Sequence, residues 1–285
     1  MKIETLIKQI KHYYKGSGSI DDKTTRDQVL YGNILQECTG IVTAIWATGA
    51  VIEEAHKLGA NLIISHEALF WNHGDHTKWL ADSANVTYLA KKQLLDEYGI
   101  TVWRAHDYVH SGIPLPDGSY QDGIFYGFAK KMGWESYMVT NDVMTAYFEI
   151  PQTSGKQVAN DLLRNLGLKG ARVIGSLNRL VTKVAIPFHV FGDANDEIKE
   201  IEEKKIDLLL PMEMNDFTLS QYIRDNSQLI GKTALISVGH FNIEEPGMSY
   251  MATYLPEIIN NVVPVYFIKV GDTYDYIENE LGTRR

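Results

Sequence analysis

Apolar residues recur along the chain in two alternating patterns, one typical of helices and one typical of buried strands. Apolar positions three and four apart predict amphipathic helices over residues 1–14, 51–58 and 84–98. Short apolar runs at 40–47, 61–65 and 100–105 predict buried strands. A strand, a helix and a strand in this order predict a parallel pair with a right-handed crossover.

The same alternation returns in the second half of the chain. Strand-like runs lie there at 145–150, 171–175, 183–187, 207–211, 234–238 and 262–268, and helical spacing at 154–166, 196–204, 217–226 and 245–255. A further helix is predicted at 124–132, before this second pattern begins. This repetition predicts an α/β fold of two similar α/β lobes with mostly parallel central sheets. We place lobe one at about residues 1–135 and lobe two at about 136–285, within a single domain.

Composition narrows the classes of function. The 285 residues carry a formal net charge of −9, which argues against nucleic acid as a partner because phosphate binding leaves a basic surface. The single cysteine, Cys38, excludes an intrachain disulfide and favours a reducing compartment. The N-terminus lacks an apolar signal core, and no apolar run approaches the ~20 residues of a membrane span. We therefore expect a cytoplasmic protein with no membrane partner.

Histidines and carboxylates follow three of the predicted strands directly. These groups are His66 with Glu67, His106 and Asp107 with His110, and His240 with Glu244. Because ligands gather at the carboxyl ends of parallel strands, the three groups are expected to converge at one edge of a sheet. Imidazole and carboxylate ligands without sulfur suit Zn²⁺, Mn²⁺, Fe or Ni. The other histidines near strands take the commoner interpretation, a capping or core position: His56, His73, His76 and His189.

Spacing bears on how these residues would bind metal. His66 and Glu67 point to opposite sides of an extended strand, so both bind only if the chain bends or each faces a different ion. On a helical turn His240 and Glu244 would share one face, and Gly239 would permit a tight turn before them. The residues alone leave two alternatives open, a shared metal site and a set of unrelated strand-end histidines.

Four segments, taken together and in this order, resemble the NIF-three-like family, some of whose members are called GTP cyclohydrolase 1 type 2 homologs. The segments are Gly59–Trp71, Ala105–His110, Asp207–Glu213 and Gly239–Gly247, and the resemblance extends over most of the chain. It implies two divalent metal ions (Zn, Mn, Fe, Ni or Mg) held by two adjacent histidines, an aspartate, and a late histidine and glutamate. In this sequence those positions are His66, Glu67, His110, His240 and Glu244.

Two of these five positions depart from the family pattern. Glu67 stands where the family has its second histidine, and His110 stands where it has the aspartate. The set still contains three imidazoles and two carboxylates, so its formal charge matches that of the family set. We therefore expect a rearranged but retained two-metal site, shared between the lobes.

The resemblance implies a metal-dependent hydrolase whose dinuclear site activates water, acting on a small molecule such as a nucleotide or another phosphate-containing substrate. His106, Asp107 and Glu213 lie in site-forming segments and are expected to orient water or transfer protons. The alternative is a non-enzymatic metal-binding, protein-interaction or assembly protein. The resemblance also implies self-association into a ring-shaped hexamer.

Overall fold

The structure, a computed structural model, describes residues 1–139, 145–187, 189–190 and 192–277. Its helices are α1 (Ile3–Tyr13), α2 (Gly49–Lys57), α3 (Lys78–Asp82), α4 (Val86–Tyr98), α5 (Asp107–Ser111), α6 (Gly123–Met132), α7 (Gly155–Leu166), α8 (Asn195–Lys204), α9 (Leu219–Leu229) and α10 (His240–Ile258). Its strands are β1 (Val29–Tyr31), β2 (Ile41–Ala44), β3 (Leu62–Ser65), β4 (Thr101–Arg104), β5 (Ile113–Pro114), β6 (Tyr120–Gln121), β7 (Thr145–Ser154), β8 (Arg172–Ile174), β9 (Leu180–Pro187), β10 (Leu208–Leu209), β11 (Ala234–Ser237) and β12 (Val265–Phe267).

These elements form two compact units. The first unit contains Met1–Ala129 and Glu244–Val270, and the second contains Lys130–Ile243 and the described residues that follow Val270. The first unit therefore includes most of α10 and all of β12, although both come late in the sequence. The single-domain assignment and a site shared between the lobes stay predictions.

The sheet of the first unit has the order β1-β4-β3-β2-β12. Strands β12, β2, β3 and β4 are parallel, and the edge strand β1 is antiparallel to β4. Every residue of β2, β3 and β4 is buried, as expected for parallel strands that are covered on both faces. In the register of the sheet, Ser65 pairs with both Ala44 and Arg104, so the three strands end side by side.

The second unit repeats this architecture with different edges. Its sheet has the order β7-β9-β10-β11-β8, in which β9, β10 and β11 are parallel and the two edge strands are antiparallel. Both units therefore place parallel strands at the centre of a sheet, and the predicted α/β fold class is confirmed. Within the described residues, every helix is too short or too polar to cross a lipid bilayer.

Several elements differ from the sequence prediction. Helix α10 begins at His240 instead of Glu245, because Pro246 is accommodated inside the helix and does not mark its start. The segment 111–123 is rich in Gly, Pro, Asp and Ser, which predicts a loop, but it contains the hairpin of β5 and β6. Strand β1 and helices α3 and α5 were not predicted, since three to five residues are too few to show a period.

Candidate metal centre

The ends of β3 and β4 bring the first candidate ligands together. His66 follows β3, and its amide donates a hydrogen bond to the carbonyl of Ala44 at 3.3 Å. His106 follows β4 and precedes α5, whose first turn brings the amide of His110 to 3.1 Å from the carbonyl of His106. Because residues four apart share one face of a helix, His106 and His110 both lie beside His66.

The three imidazoles form a compact cluster with one carboxylate. The ring centres of His66, His106 and His110 lie 4.6 to 5.0 Å apart. Glu244 lies 3.4 Å from Nε2 of His66 and 4.0 Å from Nε2 of His110. His66 is fully buried and Glu244 is 2% exposed, so these groups meet in a site that is largely screened from solvent.

Each imidazole in this cluster uses its Nδ1 atom to bond a different partner. Nδ1 of His66 lies 2.9 Å from the carbonyl oxygen of Ala105, and Nδ1 of His106 lies 2.8 Å from Asp107. Nδ1 of His110 lies 2.7 Å from the buried carboxylate of Asp122. These acceptors place a proton on each Nδ1, which leaves Nε2 as the nitrogen available for metal binding.

The buried Nε2 atom of His66 tests whether the cluster fits a metal ion. This atom makes no hydrogen bond within the part of the chain that the structure describes. Leaving a buried polar atom without a partner costs about 1–3 kcal/mol, so such atoms call for an explanation. A metal ion would supply one, because the ligand atoms of His66, His106 and His110 lie within 4.8 Å of one another. Three imidazole nitrogens and a carboxylate are a donor set suited to Zn²⁺ and similar ions.

The imidazoles differ in charge. Burial lowers the pKa of His66 well below its usual value and lowers the pKa of His106 to about 4. Burial acts on His110 in the same direction, but the carboxylate of Asp122 outweighs it and raises the pKa of His110 to about 9. At neutral pH two of the imidazoles are therefore neutral, and a metal ion at this cluster would have to displace a proton from the third.

Glu67 has a partner that the sequence did not reveal. Nη2 of Arg104 lies 3.2 Å from the carboxylate of Glu67, and Arg104 is only 1% exposed. The same guanidinium donates to the carbonyls of His66 at 2.9 Å and His73 at 2.8 Å. Arg104 therefore neutralises one of the two carboxylates predicted as ligands, and the charge balance inferred from the ligand set alone omits this cation.

Helix α10 places Glu244 in the first cluster. The hydroxyl of Thr43, on β2, donates to the carbonyl of Met248 at 2.9 Å and so ties this helix to the sheet. One turn after Glu244, the helix crosses α6 with glycines at the contact. A Cβ atom added to Gly247 would lie 2.6 Å from Cα of Ile124, and one added to Gly127 would lie 2.5 Å from Cα of Gly247.

The second unit contains a second cluster, formed by His189, Glu213 and His240. These residues follow the parallel strands β9, β10 and β11, and their ligand atoms lie within 4.8 Å of one another. One carboxylate oxygen of Glu213 lies 2.6 Å from Nδ1 of His189, and the other accepts a hydrogen bond from Nδ1 of His240. Burial alone would raise the pKa of Glu213, but these two imidazoles lower it to about 2.

A cavity of about 760 Å³ adjoins the second cluster within the second unit. Glu213 and His240 line it, together with Arg172, Phe241 and Asp272. Its size is that of pockets that hold small molecules, and its walls combine charged and aromatic groups.

The structure brings many of the predicted site residues together, although in two groups. His66, Glu67, His106, Asp107, His110 and Glu244 lie in the first unit, whereas Glu213 and His240 lie in the second. The roles of Asp122, Arg104 and His189 were not predicted from the sequence. The sequence pointed to two of these residues. Asp122 precedes an apolar helical run, as capping residues do, and His189 follows a predicted strand.

A family model described as Duf34/NIF3 (NGG1p interacting factor 3) matches residues 1–273 of the chain. A curated protein of Clostridium perfringens, named GTP cyclohydrolase 1 type 2 homolog, is 24% identical over 256 residues, which cover 87% of this chain and 90% of that protein. A hypothetical protein of Staphylococcus aureus aligns with a TM-score of 0.71 at 19% identity, over 97% of this chain and 99% of that chain. A Bacillus cereus protein related to NIF3 aligns with a TM-score of 0.67 at 15% identity, over the same shares.

Proposed function

This chain belongs to the Duf34/NIF3 family, as its motifs predicted, and we propose that it is a metal-dependent hydrolase. One observation carries the proposal. The buried Nε2 atom of His66 makes no hydrogen bond among the described residues and lies beside two further imidazoles and the carboxylate of Glu244. A divalent ion at this cluster would supply Lewis acidity, which polarises a substrate oxygen and lowers the pKa of water.

The residues around the cluster position the ligands. Asp107 accepts hydrogen bonds from the hydroxyl of Thr25 and the amide of Arg26, both at 2.8 Å, as well as from His106. Burial alone would raise the pKa of Asp107, but these bonds hold it well below its usual value. Asp107 is therefore an ionised carboxylate that orients His106 and a poor proton acceptor at neutral pH.

We assign the second of the two expected ions to the second cluster. There His240 is the proposed ligand, and Glu213 orients it by accepting the proton of Nδ1. The adjoining cavity supports a small-molecule substrate. The name of the Clostridium perfringens relative supports a nucleotide or another phosphate-containing molecule as the class to test first.

Two isosteric variants test the metal centre. We expect Glu244→Gln to weaken metal binding by more than about 100-fold and to abolish hydrolysis, because Glu244 faces the imidazoles directly. Glu67→Gln is the comparison variant at the other predicted carboxylate ligand, whose oxygen lies within 4.8 Å of the ligand atoms of His66 and Glu244. Its amide oxygen still accepts from Arg104, so we expect at most about a tenfold loss. Metal affinity is measured by competition with a chromophoric chelator, and hydrolysis on a panel of nucleotides, phosphoesters and amides.

The outcomes separate the proposed enzyme from its alternative. Metal binding together with turnover that is lost in Glu244→Gln supports the hydrolase. Metal binding without turnover on any member of the panel supports a non-enzymatic metal-binding or protein-interaction protein. Purified protein that takes up no metal after supplementation contradicts both.

A further inference from the structure

We propose that Asp122 is the positioning residue that decides which nitrogen of His110 faces the metal centre, an assignment that rests on the metal centre of the proposed function. Asp122 is 1% exposed, and its two carboxylate oxygens form hydrogen bonds with different groups. Oδ2 lies 2.7 Å from Nδ1 of His110. Oδ1 accepts the amide protons of Ile124 at 2.9 Å and Phe125 at 3.1 Å, at the start of α6.

The first contact fixes the tautomer of the imidazole. A buried, ionised carboxylate only accepts hydrogen bonds, so the proton between the two residues belongs to Nδ1 of His110. Nε2 then points towards Glu244 and is the nitrogen that would face an ion once its own proton is displaced. A carboxylate behind a ligating histidine is a common way to orient the ring and increase its basicity.

The second contact prevents Asp122 from turning away. Its Oδ1 caps the first turn of α6, where amide groups have no partner inside the helix. Helix α6 also meets α10 at Gly127 and Gly247, one turn beyond Glu244. The same side chain therefore holds one ligand directly and anchors the helix that packs against the element carrying another.

This double role makes Asp122→Asn an informative substitution. The amide groups of Ile124 and Phe125 require an acceptor, so they select the rotamer in which the oxygen of the new amide faces the helix. The amide nitrogen must then face His110 and donate to Nδ1. This forces the remaining proton onto Nε2, the nitrogen that would bind metal. The helix cap is retained, but Nε2 of His110 then carries the proton and offers no lone pair to an ion.

Three variants separate orientation from folding. We expect Asp122→Asn to stay folded and to bind Zn²⁺ or Co²⁺ about 10- to 100-fold more weakly than the wild-type chain. Asp122→Ser keeps a good helix cap but is too short to reach His110, and we expect a loss in the same range. Asp117→Asn is the matched control, because Asp117 lies in the nearby β5–β6 turn and bonds only Ser119 among the described contacts. It should bind metal as the wild type does.

The readouts are chelator competition for affinity, thermal unfolding for the fold, and nitrogen-15 spectra of the histidine rings for the protonated nitrogen. We expect a proton on Nδ1 of His110 in the wild-type chain and none there in Asp122→Asn. A folded Asp122→Asn variant with wild-type affinity, or with Nδ1 still protonated, would overturn the assignment. If the wild-type chain binds metal but hydrolyses no substrate, that result would contradict the proposed function and leave the assignment of Asp122 intact.

Discussion

At the scale of single residues, Lys91 is an unusual charge inside the first unit. It is 7% exposed, and its ammonium group donates to the carbonyl of Leu69 at 2.7 Å. The rings of Trp46, Phe70 and Trp71 surround it at 5.6 to 5.7 Å. Burial lowers the pKa of Lys91 from 10.5 to about 8, which means that the folded protein disfavours its charged form.

This shift predicts a pH dependence of stability. Between pH 8 and 10.5 the unfolded chain binds more protons at Lys91 than the folded chain does, so the free energy of unfolding rises with pH across this window. We expect the stability of wild type relative to Lys91→Met to rise by about 3 kcal/mol from pH 7.5 to 10.5. Urea unfolding at several pH values measures it.

The control for that prediction is Lys92→Met, a change at the neighbouring and more exposed lysine. The side chain of Lys92 is 41% exposed, and its hydrogen bond to Asp96 raises its pKa, so its titration falls above this window. A difference between wild type and Lys91→Met that stays constant with pH would contradict the burial of a charged amine.

Site residues could be predicted from the sequence where they lie at the end of a predicted strand. They could not be predicted where their role depends on a contact with a residue far along the chain. His66, His106 and His110 each follow or lie near the end of a strand, and the structure groups them. Arg104 lies within the strand predicted at 100–105, and nothing in the sequence links it to Glu67, 37 positions earlier. The structure thus adds a cation to a site that had been described only by its ligands.

At the scale of elements, the contact between α6 and α10 explains a glycine in the late motif. A side chain at Gly247 would meet the backbone of Ile124, which cannot move aside as a flexible side chain can. The absence of a Cβ atom lets the two helices approach closely. This close packing of α6 and α10 agrees with the position of the Glu244 carboxylate inside the first cluster.

We therefore expect Gly247→Ala to destabilise the protein by about 1–3 kcal/mol, the range for overpacked cores, and to weaken metal binding by displacing Glu244. Chemical unfolding and chelator competition measure the two effects. Gly49→Ala is the matched control, since a Cβ atom there meets nothing within 4 Å and alanine favours the first turn of α2. Equal stability of the two variants would show that the helices can separate at no cost.

Long periodic elements were predictable, and their ends were not. The strand–helix–strand unit of β2, α2 and β3 follows from its apolar spacing and is confirmed. Helix α10 starts five residues before the predicted start, because proline is typical of a first turn although an interior proline is tolerated when packing offsets the lost bond. That difference matters for the site, since it places His240 and Glu244 on one helix.

At the scale of the whole molecule, metal binding should be visible as stability. An ion that binds only the folded chain stabilises it by about 2.7 kcal/mol when its free concentration is 100 times the dissociation constant. We expect a chelator to lower the unfolding temperature of the loaded protein, and His66→Ala to show a smaller shift. Calorimetry with and without metal tests this, and identical unfolding temperatures would contradict binding to the folded state.

The assembly and the location of the protein stay predictions. The ring-shaped self-association implied by the family is carried forward as a proposal, which sedimentation of the purified chain tests. The net charge of −9 argues against nucleic acid as the partner of such a ring.

The bonds of Arg104 have a consequence for the binding of the ion proposed at this centre. They hold the carbonyls of His66 and His73 and the side chain of Glu67, and none of them uses a ligand nitrogen. The loop after β3 is therefore ordered by the protein itself, and loading an ion does not have to restrict it further. Since ordering a flexible segment opposes binding, such preorganisation should lower the free-energy cost of binding an ion.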